Sequence, residues 1–172
     1  MKQINIDEVD LQILDQLQRD ASLSNQALAG HCGISPATCL RRVRALQESG
    51  LIERQVTILS PDVLAHQLGA GLSAIVEITL ERQDHDSLQR FESRVLQEAA
   101  VQQCYRVSPG PDFILVVHCL DMPAYQALTQ RLFTSDASVR NVKAFFSVRR
   151  SKFGAELPLS GALSVRPDTV GR

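Results

Sequence analysis

The fold is decided by residues 33–50, which read GISPATCLRRVRALQESG. Ser35 has the side chain of an N-cap, and Pro36 follows at the first helical position, where a missing N–H costs nothing. Apolar residues then recur at helical spacing, at Cys39, Leu40, Val43 and Leu46. The segment therefore predicts a short amphipathic helix that ends at Gly50.

Two more helices are predicted before this segment. Asp7 is placed to cap the first and Ser24 to cap the second, and Gly33 suits the left-handed residue that ends a helix. Three short helices with a glycine in the turn before the last predict a helix-turn-helix. A short strand, Gln55 to Leu59, is expected to follow. A three-helix bundle used only for packing is the alternative, and the exposed face of the third helix decides between the two.

That face is predicted to bind double-stranded DNA. A helical wheel places Thr38, Arg41 and Ala45 near its centre, and Ala37, Arg42 and Arg44 on its flanks. Small side chains let a helix enter the major groove, while arginine binds phosphates and guanine. A solvated face would mix lysine and glutamate with arginine. The predicted DNA-binding residues, including the start of the helix, are Ser35, Pro36, Ala37, Thr38, Arg41, Arg42, Arg44 and Ala45.

The second half of the chain alternates strands and helices. Strands are predicted at about 71–81, 101–107, 113–120 and 139–150, with helices after Asp86 and Asp121. The order βαββαβ is that of a ferredoxin-like sheet. Its helices cover one face, while Ile75, Tyr105 and Phe145 lie on the other, and an open apolar face predicts association with another copy of the chain.

The predicted class is therefore α+β, with two domains. A helix-turn-helix domain spans 1–60, a linker 61–71, the ferredoxin-like domain 72–150 and a tail 151–172, whose last ten or so residues are expected to be mobile.

Composition narrows the function classes. The chain has 172 residues, 44% of them apolar, and a net charge of -1, which counts weakly against DNA binding because a local basic patch is enough. The N-terminus lacks a signal-peptide pattern and no apolar run approaches the roughly 20 residues of a membrane span, so a cytoplasmic protein without membrane contact is expected. The four cysteines fit no zinc pattern and are expected to be buried thiols.

An enzyme is not expected. His31, His66, His85 and His118 have no evident partners in the sequence, and no phosphate loop or nucleophile motif occurs. No cofactor or metal is predicted. An oligomeric, ligand-sensing protein without specific DNA binding remains the alternative function.

Residues 33–46, with Ser49-Gly50-Leu51-Ile52 after them, resemble the recognition helix of the Lrp/AsnC family of transcription regulators. The resemblance extends over about Asp7 to Pro158. It implies a winged helix-turn-helix and a sheet domain that forms dimers, which often assemble into octamers. A homodimer, tetramer or octamer is therefore expected, with an amino acid or related small metabolite as effector.

The resemblance places the effector near the loop that joins the second and third sheet strands. The residues that it implies for effector binding are Ser108, Pro109, Gly110 and Asp112. Pro109 stands where the family has glycine and Pro111 where it usually has an aromatic residue, so two N–H donors are missing. A different ligand, or none, stays an alternative. Asp112 either binds the ammonium group of an amino acid or caps the turn.

Overall fold

The computed structural model describes residues 5–69 and 71–159. These residues form two compact units: 5–57 together with 152–159, and 58–151. No helix in the described part of the chain is long and apolar enough to cross a membrane.

The first unit contains three helices: α1 (Glu8–Arg19), α2 (Asn25–His31) and α3 (Pro36–Glu48). Their buried side chains form one core of Ile13, Leu28, Ala29, Cys32, Cys39 and Leu46. Gly33 has φ +64° and Gly50 has φ +81°, so both adopt the left-handed conformation that glycine tolerates. The predicted helix-turn-helix is confirmed.

The predicted caps of these helices are present. Asp7, Ser24 and Ser35 each accept a hydrogen bond from the backbone N–H three residues later. Asp7 also forms a capping box, because the Asp10 side chain accepts from the Asp7 N–H in return. Local sequence therefore fixes where each helix begins.

The predicted strand Gln55–Leu59 is not formed. Within the described residues, no ladder of hydrogen bonds joins this segment to another strand, and Val56, Ile58 and Leu59 are exposed. A strand needs another backbone with which to pair, and the sequence pattern of one segment cannot show whether such a partner lies beside it.

The second unit has the predicted βαββαβ order. Its elements are α4 (Pro61–Leu68), β1 (Leu72–Leu80), α5 (His85–Val95), β2 (Val101–Arg106), β3 (Phe113–Cys119), α6 (Met122–Thr129), a π-helical turn (Gln130–Thr134) and β4 (Val139–Phe146). The four strands form an antiparallel sheet in the order β2-β3-β1-β4. The ferredoxin-like fold is confirmed.

One face of the sheet is buried against the helices. Its core includes Val76 and Ile78 of β1, Leu115 of β3 and Phe91 of α5. On the opposite face, Ile75 is 47% and Phe145 is 53% exposed, and these two residues are Cα partners across β1 and β4. The expected open apolar face therefore exists in the single chain.

Two segments differ in detail from the prediction, and the tail makes a contact that the prediction did not specify. Helix α5 begins at His85 and is capped by Asp84, not Asp86, because the Asp84 carboxylate reaches the Ser87 N–H. The predicted linker is mostly the helix α4, which Ser60 caps. In the tail, the Leu157 backbone exchanges two hydrogen bonds of 2.9 Å with the Gln18 side chain. The last ten residues, which were predicted to be mobile, lie outside the described residues.

Candidate nucleic-acid interface and effector loop

Helix α3 is fixed at its start by neighbouring polar groups. The Ser35 hydroxyl accepts from the Thr38 N–H at 3.2 Å and lies 2.9 Å from the Thr38 hydroxyl. The Asn25 side chain, at the start of α2, donates to the Pro36 carbonyl at 2.8 Å. The start of α3 is thus held by its own cap and by a side chain from the start of α2. Sequence reasoning missed Asn25, because a side chain that reaches across 11 residues leaves no local pattern.

The exposed side of α3 carries two available arginines. Arg41 and Arg44 are exposed, and neither forms an ion pair or hydrogen bond with any residue in the described ranges. Ala37 and Ala45 are also exposed and add only methyl groups to this side. Two guanidinium groups therefore project from a side that also carries these small residues, with the exposed Glu48 one turn after Arg44.

The observed face is rotated from the predicted one. Thr38, placed at its centre by the wheel, is half-buried, whereas Leu40, assigned to the apolar stripe, is 41% exposed. The buried side of α3 is centred on Cys39 and Leu46, so the outward direction runs through Arg41 and Arg44. A wheel built on ideal apolar spacing could not resolve this rotation, because α1 and α2 decide which side is covered.

Arg42 lies on the flank of α3 that faces α1. Its Nη1 donates to Asp10 Oδ1 at 2.8 Å and lies 2.9 Å from Asp7 Oδ2. The Arg42 side chain is 26% exposed and that of Asp10 is 10% exposed. The predicted DNA-binding set is therefore divided, because Arg41 and Arg44 are available whereas Arg42 is held inside the helical unit.

Asp7 and Arg42 carry opposite charges at neutral pH. The N–H of Asp10, and then Arg42, hold the pKa of Asp7 below its usual range, and the two carboxylates raise the pKa of Arg42. A carboxylate whose pKa falls on folding stabilises the fold above its unfolded pKa and loses that contribution as the pH falls through the folded pKa. The Asp7 contact is therefore retained at pH 7 and lost only in acid.

The cysteines of this unit are free and buried, as predicted. Burial raises the pKa of both Cys32 and Cys39, so both thiols are neutral at pH 7. Their role in this unit is packing.

The predicted effector loop is exposed over most of its length. Ser108, Pro109 and Gly110 are exposed at the turn between β2 and β3, and the Ser108–Pro109 peptide bond is cis. Pro109 and Pro111 supply no N–H, so the loop offers few backbone donors to a carboxylate. An open groove beside α5 is lined by Arg90, Arg94 and Asp136 and includes no residue of this loop.

Asp112 is the buried member of the loop. Its Oδ2 accepts from the Leu80 N–H at 2.7 Å, and its own N–H donates to the Ile78 carbonyl at 2.8 Å. The carboxylate therefore extends the contact between the end of β1 and the loop, as a turn cap would. A role of Asp112 in binding an effector stays a prediction.

Removal of the Asp112 side chain is expected to destabilise the fold. Asp112→Ala leaves the buried Leu80 N–H without its acceptor, and we expect the free energy of unfolding to fall by about 1–3 kcal/mol. Asp112→Asn retains a side-chain carbonyl and is expected to lose less. Urea unfolding of both variants measures the difference, and an alanine variant as stable as the unaltered chain would contradict this role.

Comparison with known proteins finds a family model for each of two parts of the chain. The family model for winged helix-turn-helix DNA-binding domains matches residues 6–53, and that for the Lrp/AsnC ligand binding domain matches residues 73–157. The leucine-responsive regulatory protein of Klebsiella pneumoniae is 39% identical over 124 residues, which cover 72% of this chain and 73% of that protein.

Solved structures show the same arrangement of elements. A transcriptional regulator from Neisseria meningitidis in complex with L-Met aligns with a TM-score of 0.80 and 26% identity, covering 92% of this chain and 99% of that one. An AsnC family transcriptional regulator from Agrobacterium tumefaciens aligns with a TM-score of 0.78 and 31% identity, covering 90% and 98%. With both modules in this order, and with relatives that match over most of their length, the chain belongs to the Lrp/AsnC family of DNA-binding transcription regulators.

Proposed function

We propose that this chain reads DNA through the exposed side of α3, with Arg41 and Arg44 as the principal contacts. The observation that carries the proposal is that both guanidinium groups are exposed and unpaired within the described residues, on the second helix of a helix-turn-helix. Arginine forms bidentate hydrogen bonds with guanine and charge-assisted bonds with phosphate. Ala37 and Ala45 let the helix backbone approach the floor of the major groove.

The start of α3 adds a phosphate contact in this proposal. Ser35 caps the helix, and Pro36 and Thr38 lie in its first turn, where the positive end of the helix dipole favours a phosphate. Thr38 and Ser35 bond to each other, so their hydroxyls are positioned before DNA arrives. Arg42 was predicted as a direct contact, and its pairing with Asp7 and Asp10 supports an indirect part instead.

Two copies are proposed to act together. Ile75, Tyr105 and Phe145 lie exposed on the open face of the sheet, and burial of this face between two copies removes apolar area from water. A homodimer would present two α3 helices to successive major grooves, about one helical turn apart. Tetramers or octamers are further assemblies of the same kind.

The second unit is proposed to sense an amino acid or a related small metabolite. A neighbouring structure, from Neisseria meningitidis, contains L-Met. In this chain Ser108, Pro109, Gly110 and Asp112 mark the loop where we expect the effector, at a junction between copies. A ligand there changes DNA affinity only if it binds two assemblies unequally. Free thiols and a chromosomal target favour a cytoplasmic location.

Genome-wide DNA capture tests this function directly. The full chain, purified from its own cells after cross-linking, is expected to enrich a discrete set of DNA sites. Addition of one amino acid among the twenty is expected to change the occupancy of those sites. A chain that enriches no sites would favour the alternative, a ligand-sensing protein without specific DNA binding. An unchanged pattern with every amino acid would contradict the amino-acid effector alone.

A further inference from the structure

Arg42 contacts two carboxylates of α1 that backbone hydrogen bonds already hold in place. The Asp10 N–H donates to Asp7 Oδ1 at 2.9 Å, and the Asp7 N–H donates to Asp10 Oδ2 at 3.2 Å. Each carboxylate is therefore fixed by the backbone of the other residue before Arg42 is considered. Arg42 Nη1 lies between them, within 3.0 Å of both. An exposed surface pair lacks such a framework and orders two long side chains for little gain.

Because Arg42 Nε and Asp10 are buried, breaking this contact is expected to be costly. Arg42 Nε is buried and has no hydrogen-bond partner within the described residues, so the guanidinium depends on the two carboxylates for its stabilisation. Asp10 is itself buried, and the loss of its cation would leave a buried carboxylate with the Asp7 N–H as its remaining side-chain partner within the described residues. The contact therefore favours one orientation of α3 relative to α1.

Arg42 lies between the two exposed arginines in the chain. Since successive helical residues are about 100° apart, a residue held on one flank fixes the direction in which its neighbours point. We propose that Asp7, Asp10 and Arg42 form an orientation lock that sets the rotation of α3 and thereby aims Arg41 and Arg44 at DNA. This inference rests on the proposed function. The three residues are positioning residues in it, and Arg42 does not contact DNA.

The lock predicts that removal of these acidic residues weakens DNA binding, which is the opposite of the effect expected from their charge alone. Asp7 and Asp10 are negative charges near a surface that binds a polyanion, so their removal alone should strengthen DNA binding by simple electrostatics. If the carboxylates hold Arg42, their removal instead lets α3 rotate, and an arginine loses its base contact. The two readings thus predict opposite changes in affinity.

The experiment uses the full chain and a DNA site recovered by capture. Fluorescence anisotropy gives the affinity at several salt concentrations for Asp10→Asn, for Asp7→Asn with Asp10→Asn, and for Arg42→Ala. Asparagine is a good N-cap, so Asp7→Asn preserves the start of α1. Asp15→Asn is the matched control, because Asp15 lies on the same helix and pairs only with exposed Arg19 among the described residues. Circular dichroism selects a temperature at which every variant is folded.

We expect Asp10→Asn and the double variant to bind roughly tenfold or more weakly, the cost of one lost arginine–base contact. Asp15→Asn should bind as tightly as the unaltered chain, or more tightly. Arg42→Ala should weaken binding without changing the slope of log K against log salt. Equal or tighter binding by folded Asp10→Asn would overturn the lock, as would a slope lowered by about one in Arg42→Ala, which marks a direct phosphate contact. If Arg41→Ala binds DNA unchanged, the proposed function fails instead.

Discussion

Replacement of both Arg41 and Arg44 by alanine is expected to lower the affinity for a specific DNA site by roughly 30-fold to 10⁴-fold per copy. Each arginine that contacts a base contributes about 1–3 kcal/mol, and two such losses add when the contacts are independent. Both side chains are exposed and unpaired within the described residues, so the free energy of unfolding should change by less than about 0.5 kcal/mol. Fluorescence anisotropy and urea unfolding measure the two quantities.

The matched control removes the same charge elsewhere. Arg82→Ala with Arg131→Ala deletes two exposed arginines of the second unit, whose ion-pair partners are Asp84 and Glu98. This variant should retain most of the DNA affinity. An equal loss in both double variants would show that net charge, and not the exposed side of α3, governs binding.

Replacement of Ile75 and Phe145 by aspartate is expected to convert the oligomer to single copies. These residues are neighbours on β1 and β4, and both are about half exposed in the single chain. A carboxylate buried in an apolar interface is expensive, and two per copy meet across the face. Since linked half-sites strengthen binding by about 10²–10⁴-fold, the monomer should bind DNA more weakly by a similar factor. Light scattering measures the mass in solution.

Leu96→Asp is the control for this variant, because Leu96 is an exposed apolar residue at the end of α5, on the helical side of the sheet. It should leave the oligomer intact. A folded Ile75→Asp, Phe145→Asp variant with the mass of the unaltered oligomer would rule out the open face as the interface.

Local chemistry explains which elements could be predicted from sequence. The starts of α3 and α6 could be predicted because the Ser35 and Asp121 side chains are caps, and the backbone N–H groups that donate to them lie three residues later. The same signal was present at Ser60 followed by Pro61, where α4 begins. Sequence nevertheless predicts a connection there, because glycine and proline mark turns as well as helix boundaries.

Non-local partners explain what could not be predicted. The strand expected at Gln55–Leu59 had the right residues but no pairing backbone within the described part of the chain. The strand that the alternation of residues 71–81 predicts does form, as β1, because β3 and β4 pair with its two edges. In the effector loop, sequence leaves Asp112 open between two roles. The Leu80 N–H, 2.7 Å from its carboxylate, supports the role of a cap, and the effector role stays a prediction.

The same limit applies to the DNA-binding face. Sequence placed three arginines on one helix, and it could not separate Arg42 from Arg41 and Arg44. That separation depends on Asp10, which lies 32 positions away in the chain and meets Arg42 only after α1 packs on α3. Sequence shows Asp7 and Asp10 as acidic residues at the start of α1. Their contact with Arg42 of α3 can be recognised only once the fold is known.

Dimethyl sulfate protection on a captured DNA site tests most directly whether the exposed side of α3 enters the major groove. The reagent methylates guanine N7, which faces that groove and is the acceptor that an arginine would occupy. The bound chain is expected to protect guanines in two major-groove segments about one helical turn apart, and Arg41→Ala with Arg44→Ala, at saturating concentration, is expected to lose that protection. Full occupancy of the site with every guanine N7 still reactive would contradict the account.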